Sequence, residues 1–202
     1  MSKVKICGLS RVEDIVAVNR ALPDYVGFVF APSKRNVNVE KVAQLKTNLD
    51  PQIKTVGVFV NEAMITVAEI YLSGIIDVVQ LHGDEDDHYI RLLKAVCDCP
   101  VIKAVGVADT LPPLPQNADY LLFDTLSEQR GGIGITFDWN ILHDYKGPPY
   151  FLAGGLHTDN VVDSLNLLTP FGVDVSSGVE TDRVKDAEKI EKFISLVRGN
   201  QE

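Results

Sequence analysis

Eight short apolar stretches are spaced along 202 residues, and most are separated by segments with helical character. They run Val4 to Cys7, Tyr25 to Phe30, Thr55 to Val60 and Ile75 to Leu81, then Pro100 to Val105, Ala118 to Phe123, Tyr150 to Ala153 and Phe171 to Val175. Strands that are apolar on both faces belong to a parallel sheet covered on both sides. Strands alternating with helices join through right-handed crossovers. Eight such units in one domain close most simply into a (β/α)8 barrel. The units are compact, since such barrels usually take about 250 residues. An open doubly wound sheet is disfavoured, because no G-x-G-x-x-G loop follows the first strand. No low-complexity linker marks a boundary, so the expectation is one barrel domain over residues 1–202.

The connections carry helix signals with one gap. Ser10 is placed to cap the first helix, with Glu13 at the capping-box position. Asn61 is placed to cap the helix after the third strand, and the acidic run Asp84 to Asp87 to open the next. Phe137 to Tyr145 reads as a short helix, and further helices begin near Asp159 and Val184. Pro112, Pro113 and Pro115 forbid a regular helix between the fifth and sixth strands.

The formal net charge of -9 disfavours nucleic acid and anionic membranes as partners over the whole surface. No apolar run is long enough to cross a bilayer. Cys7, Cys97 and Cys99 show no framework spacing and point to a reducing compartment. With no secretory signal at the N-terminus, a cytoplasmic location is expected. No set of neutral ligands accompanies the acidic run or the Cys97–Cys99 pair, so no metal site is expected.

Polar residues at the C-terminal ends of barrel strands are the places to look for chemistry. Here they are Cys7, Arg35, His82, Asp124, Gly154-Gly155 and Ser176-Ser177-Gly178. Two glycine-bearing strand ends separated by one helix are the kind of cradle that takes a phosphate. Taken singly, Cys7 reads as a small buried hydrophobe, and Asp124 as a loop cap. Together a thiol and a carboxyl from separate strands can face each other across a barrel mouth. His82 has two readings, ligand contact or fixing the loop after the fourth strand through its ring nitrogens. By two-residue alternation Lys5 shares the inward face of Cys7, and Asp174 that of Ser176. A buried ammonium needs a partner, so a Lys5–Asp174 contact beneath the mouth is expected.

An ordered set of motifs spans essentially the whole chain. It comprises KICG at Lys5 to Gly8, GFVF then SKR at Gly27 to Arg35, GVFVN at Gly57 to Asn61 and QLHGDE at Gln80 to Glu85. It continues with FD at Phe123 and Asp124, GG-x-G then FDW at Gly131 to Trp139, LAGGL with Asn160-Val161, and GVDVSSGVE. In these the chain resembles the phosphoribosylanthranilate isomerase family. The resemblance implies a (β/α)8 barrel and an Amadori rearrangement of a small phosphorylated substrate, with no metal or organic cofactor. It implies a general base at Cys7, a general acid at Asp124, and Arg35 on the anthranilate carboxylate. Gly154, Gly155, Ser176, Ser177 and Gly178 match the phosphate site, and Gly132 and His82 are counted with the substrate-binding positions. Ile133 departs from the family, which usually has threonine there, so a hydroxyl is lost. A monomer is the favoured state.

Rival readings are another phosphosugar barrel, such as an indole-glycerol-phosphate synthase or a ribulose-phosphate epimerase, a dual-specificity histidine/tryptophan-pathway isomerase, which would carry a carboxylate where Cys7 stands, and a barrel kept only to bind a phosphate ligand. The synthase wants a lysine-and-glutamate site and the epimerase a metal-binding set, and neither set is visible.

Overall fold

A computed structural model describes residues 2–126 and 136–199. Its strands are β1 (Lys3–Cys7), β2 (Tyr25–Val29), β3 (Lys54–Phe59), β4 (Val78–Leu81), β5 (Val101–Val107), β6 (Tyr120–Thr125), β7 (Tyr150–Leu152) and β8 (Gly172–Val175). They form a closed barrel in chain order, every neighbour parallel, with β8 returning to β1. The helices are α1 (Val12–Ala21), α2 (Val39–Lys46), α3 (Met64–Leu72), α4 (Asp87–Cys97), α5 (Val161–Leu167) and α6 (Ala187–Gly199). A small two-stranded hairpin, β9 (Glu180–Thr181) and β10 (Val184–Lys185), follows β8.

Strand alternation makes two cores. One lies inside the barrel, where Tyr25, Val56, Val78, Ile102, Leu122, Phe151 and Ala153 pack together. The other lies between strands and helices, and includes Ile6, Phe28, Val79, Leu121 and Val173 against Ile15, Leu93 and Phe193. The inward set has a direct consequence for the mouth. Two residues further along the same strands, the inward positions are Gln80 above Val78 and Asp124 above Leu122. Lys5 and Cys7, and Asp174 and Ser176, follow the same rule on β1 and β8.

At the other end of the barrel one device recurs three times. Asp24, just before β2, accepts from the Val4 N–H of β1 at 2.9 Å. Asp77, before β4, accepts from the Thr55 N–H of β3 at 2.7 Å. Asp119, before β6, accepts from the Val101 N–H of β5 at 2.8 Å. Each takes up a first-strand donor that the ladder leaves over, and each also meets a lysine: Lys3, Lys46 and Lys94.

Several local expectations need correction. The N-cap of α1 is Arg11, not Ser10, and Asp14 closes the box. Asp14 outcompetes Glu13 because its carboxylate accepts from both Ser10 N–H and Arg11 N–H. Asn61 does not cap α3, whose N-cap is Ala63. Its side chain is instead exchanged with Asp84, and its N–H is held by Glu85 at 2.6 Å. Strand β4 begins at Val78 rather than Ile75, because Asp77 is turned back to Thr55. Of the described residues between β6 and β7, only Trp139–Leu142 is helical, as a 3-10 turn. The last helix begins at Ala187, since the β9–β10 hairpin occupies the chain up to Lys185.

Other expectations hold. Residues 108–119 contain no helix. That proline-rich stretch is tied down by Asp87, which accepts from the N–H groups of Gln116 and Asn117. In the acidic run Asp86 caps α4 by accepting from Tyr89 N–H. No helix among the described residues is long and apolar enough to cross a membrane.

Asp77→Ala removes the acceptor of the N–H of the fully buried Thr55 and the nearer acceptor of its hydroxyl, which keeps only the Ile75 carbonyl at 3.2 Å. The expected loss is about 2 kcal/mol, read as a lower urea midpoint. Burial alone would raise the Asp77 pKa, but the Thr55 bonds win and lower it. A depressed folded pKa gives stability that is present above the unfolded value and lost as pH falls through the folded one. The mutational penalty should therefore shrink in acid. A penalty that is constant with pH would show that the carboxylate charge is not what Thr55 uses.

Candidate functional site

The mouth is built outward from Cys7, the last residue of β1. Its thiol points into the barrel, and the residue is 8% exposed. A Cβ on Gly27, the register partner of Cys7 on β2, would lie 2.7 Å from Sγ and 3.2 Å from the Cys7 Cα. Only glycine leaves the thiol its place. Gly8 turns the chain out of β1 with a φ of 83°, and a side chain there would collide with Arg35.

Beneath the thiol the expected pair is present. Lys5 Nζ donates to Asp174 Oδ1 at 2.8 Å, across the β1–β8 register in which the two residues are partners. Lys5 is fully buried. Burial pushes its pKa down, yet Asp174 together with Cys7 more than offsets this and the net shift is upward. Burial pushes the Cys7 thiol up, opposed chiefly by the Lys5 charge.

Asp124 lies on β6, three strands from β1 around the ring. His82, directly after β4, faces it with Nε2 at 3.4 Å from Oδ2. The other ring nitrogen, Nδ1, is 3.0 Å from the side-chain nitrogen of Gln80. An amide N–H that donates to Nδ1 leaves the ring proton on Nε2, facing the carboxylate. Gln80 is 1% exposed, and its Oε1 has no hydrogen-bond partner among the described residues. Turned over, the amide would accept from a protonated Nδ1 instead, so it can serve either tautomer. His82 therefore belongs to the Asp124 wall rather than only to the loop behind it. Gln80 was missed in the sequence, although its inward position in a strand of apolar residues was a signal.

Arg35 reaches over Gly8 from the loop after β2. Its Nε and Nη2 donate to Glu180 Oε1 and Oε2 at 2.8 and 2.9 Å, a side-on bidentate pair. Glu180 also accepts from Lys185 Nζ at 2.6 Å, and Lys185 donates on to the Ser176 carbonyl at 2.9 Å. Bonding to Glu180 raises the Arg35 pKa. Burial alone would raise the Glu180 pKa; its bonds to Arg35 and Lys185 outweigh that and lower it. Neither Glu180 nor Lys185 was anticipated. They lie on a two-residue-strand hairpin with no periodicity to mark it.

The two glycine-bearing ends meet beside this network. Gly154 and Gly155 have φ of 80° and 69°. A side chain on Gly154 would strike Thr125 N at 2.5 Å and approach Asp124 Oδ1 at 3.1 Å. One on Gly178 would run into the Leu156 carbonyl. Both glycines thus allow the β6, β7 and β8 ends to crowd together. Ser176 Oγ donates to the Cys7 carbonyl at 3.0 Å, which ties the Ser176-Ser177-Gly178 end to β1. Gly132 and Ile133 lie outside the described residues. The structure thus gathers Cys7, Arg35, His82, Asp124, Gly154, Gly155, Ser176, Ser177 and Gly178 at one end of the barrel.

This arrangement is matched in sequence by a known family. Residues 4–196 match the family described as PRAI, N-(5'phosphoribosyl)anthranilate (PRA) isomerase. The chain belongs to that family. Among its relatives, the N-(5'-phosphoribosyl)anthranilate isomerase of Endomicrobium trichonymphae is 46% identical over 200 residues, covering 98% of this chain and 100% of the relative. That of Clostridium acetobutylicum is 46% identical over 202 residues, covering 98% of each. Of solved structures, the phosphoribosyl anthranilate isomerase of Thermotoga maritima superposes with a TM-score of 0.86 at 35% identity, over 98% of this chain and 100% of that one. A phosphoribosyl anthranilate isomerase in complex with reduced 1-(o-carboxyphenylamino)-1-deoxyribulose 5-phosphate gives a TM-score of 0.84 at 33% identity, over 98% and 100%.

Glu180→Gln takes the shared anion away from a guanidinium and an almost fully buried ammonium. Breaking a buried pair on one side usually costs about 3 to 5 kcal/mol. A midpoint in urea well below that of the parent chain is expected. An unchanged midpoint would mean that water replaces the carboxylate without loss.

Proposed function

We propose that this isomerase carries out the Amadori rearrangement of N-(5-phospho-β-D-ribosyl)anthranilate to 1-(2-carboxyphenylamino)-1-deoxy-D-ribulose 5-phosphate, with Asp124 as general acid and Cys7 as general base. The observation that carries the reading is the placing of a thiol on β1 and a carboxyl on β6, both inward at the same barrel mouth. Membership of the isomerase family supplies the reaction.

Asp124 gives a proton to the ring oxygen of the ribose. The C1–O bond breaks toward oxygen, and the nitrogen lone pair forms a protonated imine. That cation acidifies the proton at C2. The Cys7 thiolate takes it, the C2–H electrons become the C1–C2 double bond, and the imine π pair returns to nitrogen. The enolamine then gains a proton at C1 and loses one from the C2 hydroxyl, which leaves the ketone. Thiols ionise close enough to neutrality to serve, provided the surroundings favour the thiolate. Hydrogen-bond reach of both groups matters more than their strength. His82 orients the Asp124 carboxyl from the side.

The phosphate is read onto the Gly154-Gly155 and Ser176-Ser177-Gly178 ends, where glycine lets backbone N–H groups come close. The Nε edge of Arg35 already holds Glu180, so the anthranilate carboxylate is assigned to the end-on Nη1/Nη2 edge. That edge still offers two parallel donors to a planar carboxylate.

Cys7→Ser and Asp124→Asn separate the two roles. The serine variant changes one atom and should retain ligand binding, yet lose about 10²-fold or more in kcat. An alcohol ionises far too high to act as the base. The asparagine variant lacks the proton for ring opening, so an already ring-opened substrate analogue should rescue much of its defect while leaving Cys7→Ser crippled. Near-parental turnover by well-folded Cys7→Ser would remove the thiol from the reaction.

A further inference from the structure

The mechanism above leaves one fully buried charge unused. Lys5 sits inside the barrel directly below the mouth, with no exposure to solvent. Its ammonium is 2.8 Å from Asp174 Oδ1. The same ammonium lies close to the Cys7 thiol above it and favours the thiol's ionised form. Both groups converge on one point: a Cβ on Gly27 would lie 2.7 Å from Cys7 Sγ and 3.3 Å from Lys5 Nζ. The missing side chain of Gly27 is what lets the thiol and the ammonium share this space.

We propose that Lys5 is a positioning residue for the reaction, its ammonium stabilising the Cys7 thiolate that removes the C2 proton. The inference rests on the reading of Cys7 as base. Burial works against ionising the thiol, so a nearby positive charge is required for it to act near neutrality.

The surroundings single out Lys5. β2 offers Gly27 beside the thiol and, one step lower, Tyr25 as register partner of Lys5. β8 offers Asp174, which opposes thiolate formation and is itself committed to Lys5. From above come Arg35 and Lys185, whose charges act on the thiol but share Glu180 between them. Of these three cations Lys5 acts most strongly on the thiol and alone lies wholly out of water. Its field at the thiol is therefore the least screened.

Asp174 then has a defined part. It raises the Lys5 pKa against burial, a part that the Cys7 thiolate shares, so in Asp174→Asn the thiolate itself becomes the partner that keeps the ammonium charged. That lets two residues of one salt bridge act on the thiol with opposite signs. A purely structural ion pair predicts that breaking it from either side has one and the same consequence.

The test reads the thiol without turnover. The chain is treated with iodoacetamide across a pH series, and modification of the Cys7 peptide is quantified by mass spectrometry, which separates it from Cys97 and Cys99. Lys5→Met should slow Cys7 alkylation at pH 7.5 by about tenfold or more, since an opposite charge at this range moves a titration by a unit or more. Asp174→Asn should speed it. The acid limb of kcat/KM should move to higher pH in Lys5→Met, with KM little changed. Equal alkylation profiles in all three proteins, or both variants shifting the same way, would overturn the proposal. Lys5→Gln, which keeps a donor to Asp174 without the charge, replaces the methionine variant if that does not fold. Should neither fold, Asp174→Asn decides alone, and slower or unchanged alkylation rejects the idea. Failure of the base assignment is distinct: it shows as turnover by Cys7→Ser, whatever the alkylation profiles are.

Discussion

An ammonium with no access to water keeps its charge only if an anion, here a carboxylate, is held against it. In this barrel that carboxylate comes from the far end of the chain. Lys5 is on the first strand and Asp174 on the last, in register across the seam where the ring closes. The pair forms only when β8 has returned to β1, so its charge complementarity is satisfied by the closed barrel. A one-residue slip of β8 would turn Asp174 outward and leave Lys5 alone in the interior. The pair thus favours one register and, in doing so, fixes what stands beneath Cys7.

Above this seam a second set of charges links the two halves of the mouth. Glu180 joins Arg35, from the β2 side, to Lys185 and through it to the Ser176 carbonyl on the β8 side. The residue assigned to the substrate carboxylate and the loop assigned to its phosphate are therefore held by one buried anion. Such a network carries a large desolvation cost and contributes little to net stability compared with an apolar core. It sets geometry: a planar guanidinium bonded along its Nε edge can present only its other edge to a ligand. The Gln80–His82–Asp124 row does comparable work on the opposite wall, where an amide whose oxygen has no partner among the described residues can follow either tautomer of the ring.

The base of the barrel is organised by a simpler rule. Asp24, Asp77 and Asp119 each precede an even-numbered strand and each caps the first free N–H of the strand before it. The aspartate caps lie at this end and the candidate chemistry at the other, which is the division expected of parallel barrels. The missing helix between β5 and β6 does not break the pattern, because Asp87 holds the proline-rich connection by its backbone N–H groups.

Much of this was readable before any coordinates. Eight buried strands in alternation specify a closed parallel barrel, because apolar strands need cover on both faces. Two-residue periodicity put Lys5, Cys7, Asp174 and Ser176 on the inside, and buried-charge arithmetic paired the lysine with the aspartate. The motifs from Lys5 to Gly8 through Ser176 to Gly178 specified the family. Other features depended on partners that are distant in sequence. Ser10 and Glu13 had the right spacing for a cap, yet Asp14 took the role because its carboxylate reached two N–H groups at once. Asn61 was drawn from its helix by Asp84 and Glu85, more than twenty residues away. Gln80 gave no sign that its amide would meet His82, nor Arg35 that Glu180 would occupy its Nε edge. Local pattern determines which face a side chain lies on, because that depends only on its own strand. Which groups meet there depends on how strands far apart in sequence are brought into register, and only the closed barrel decides it.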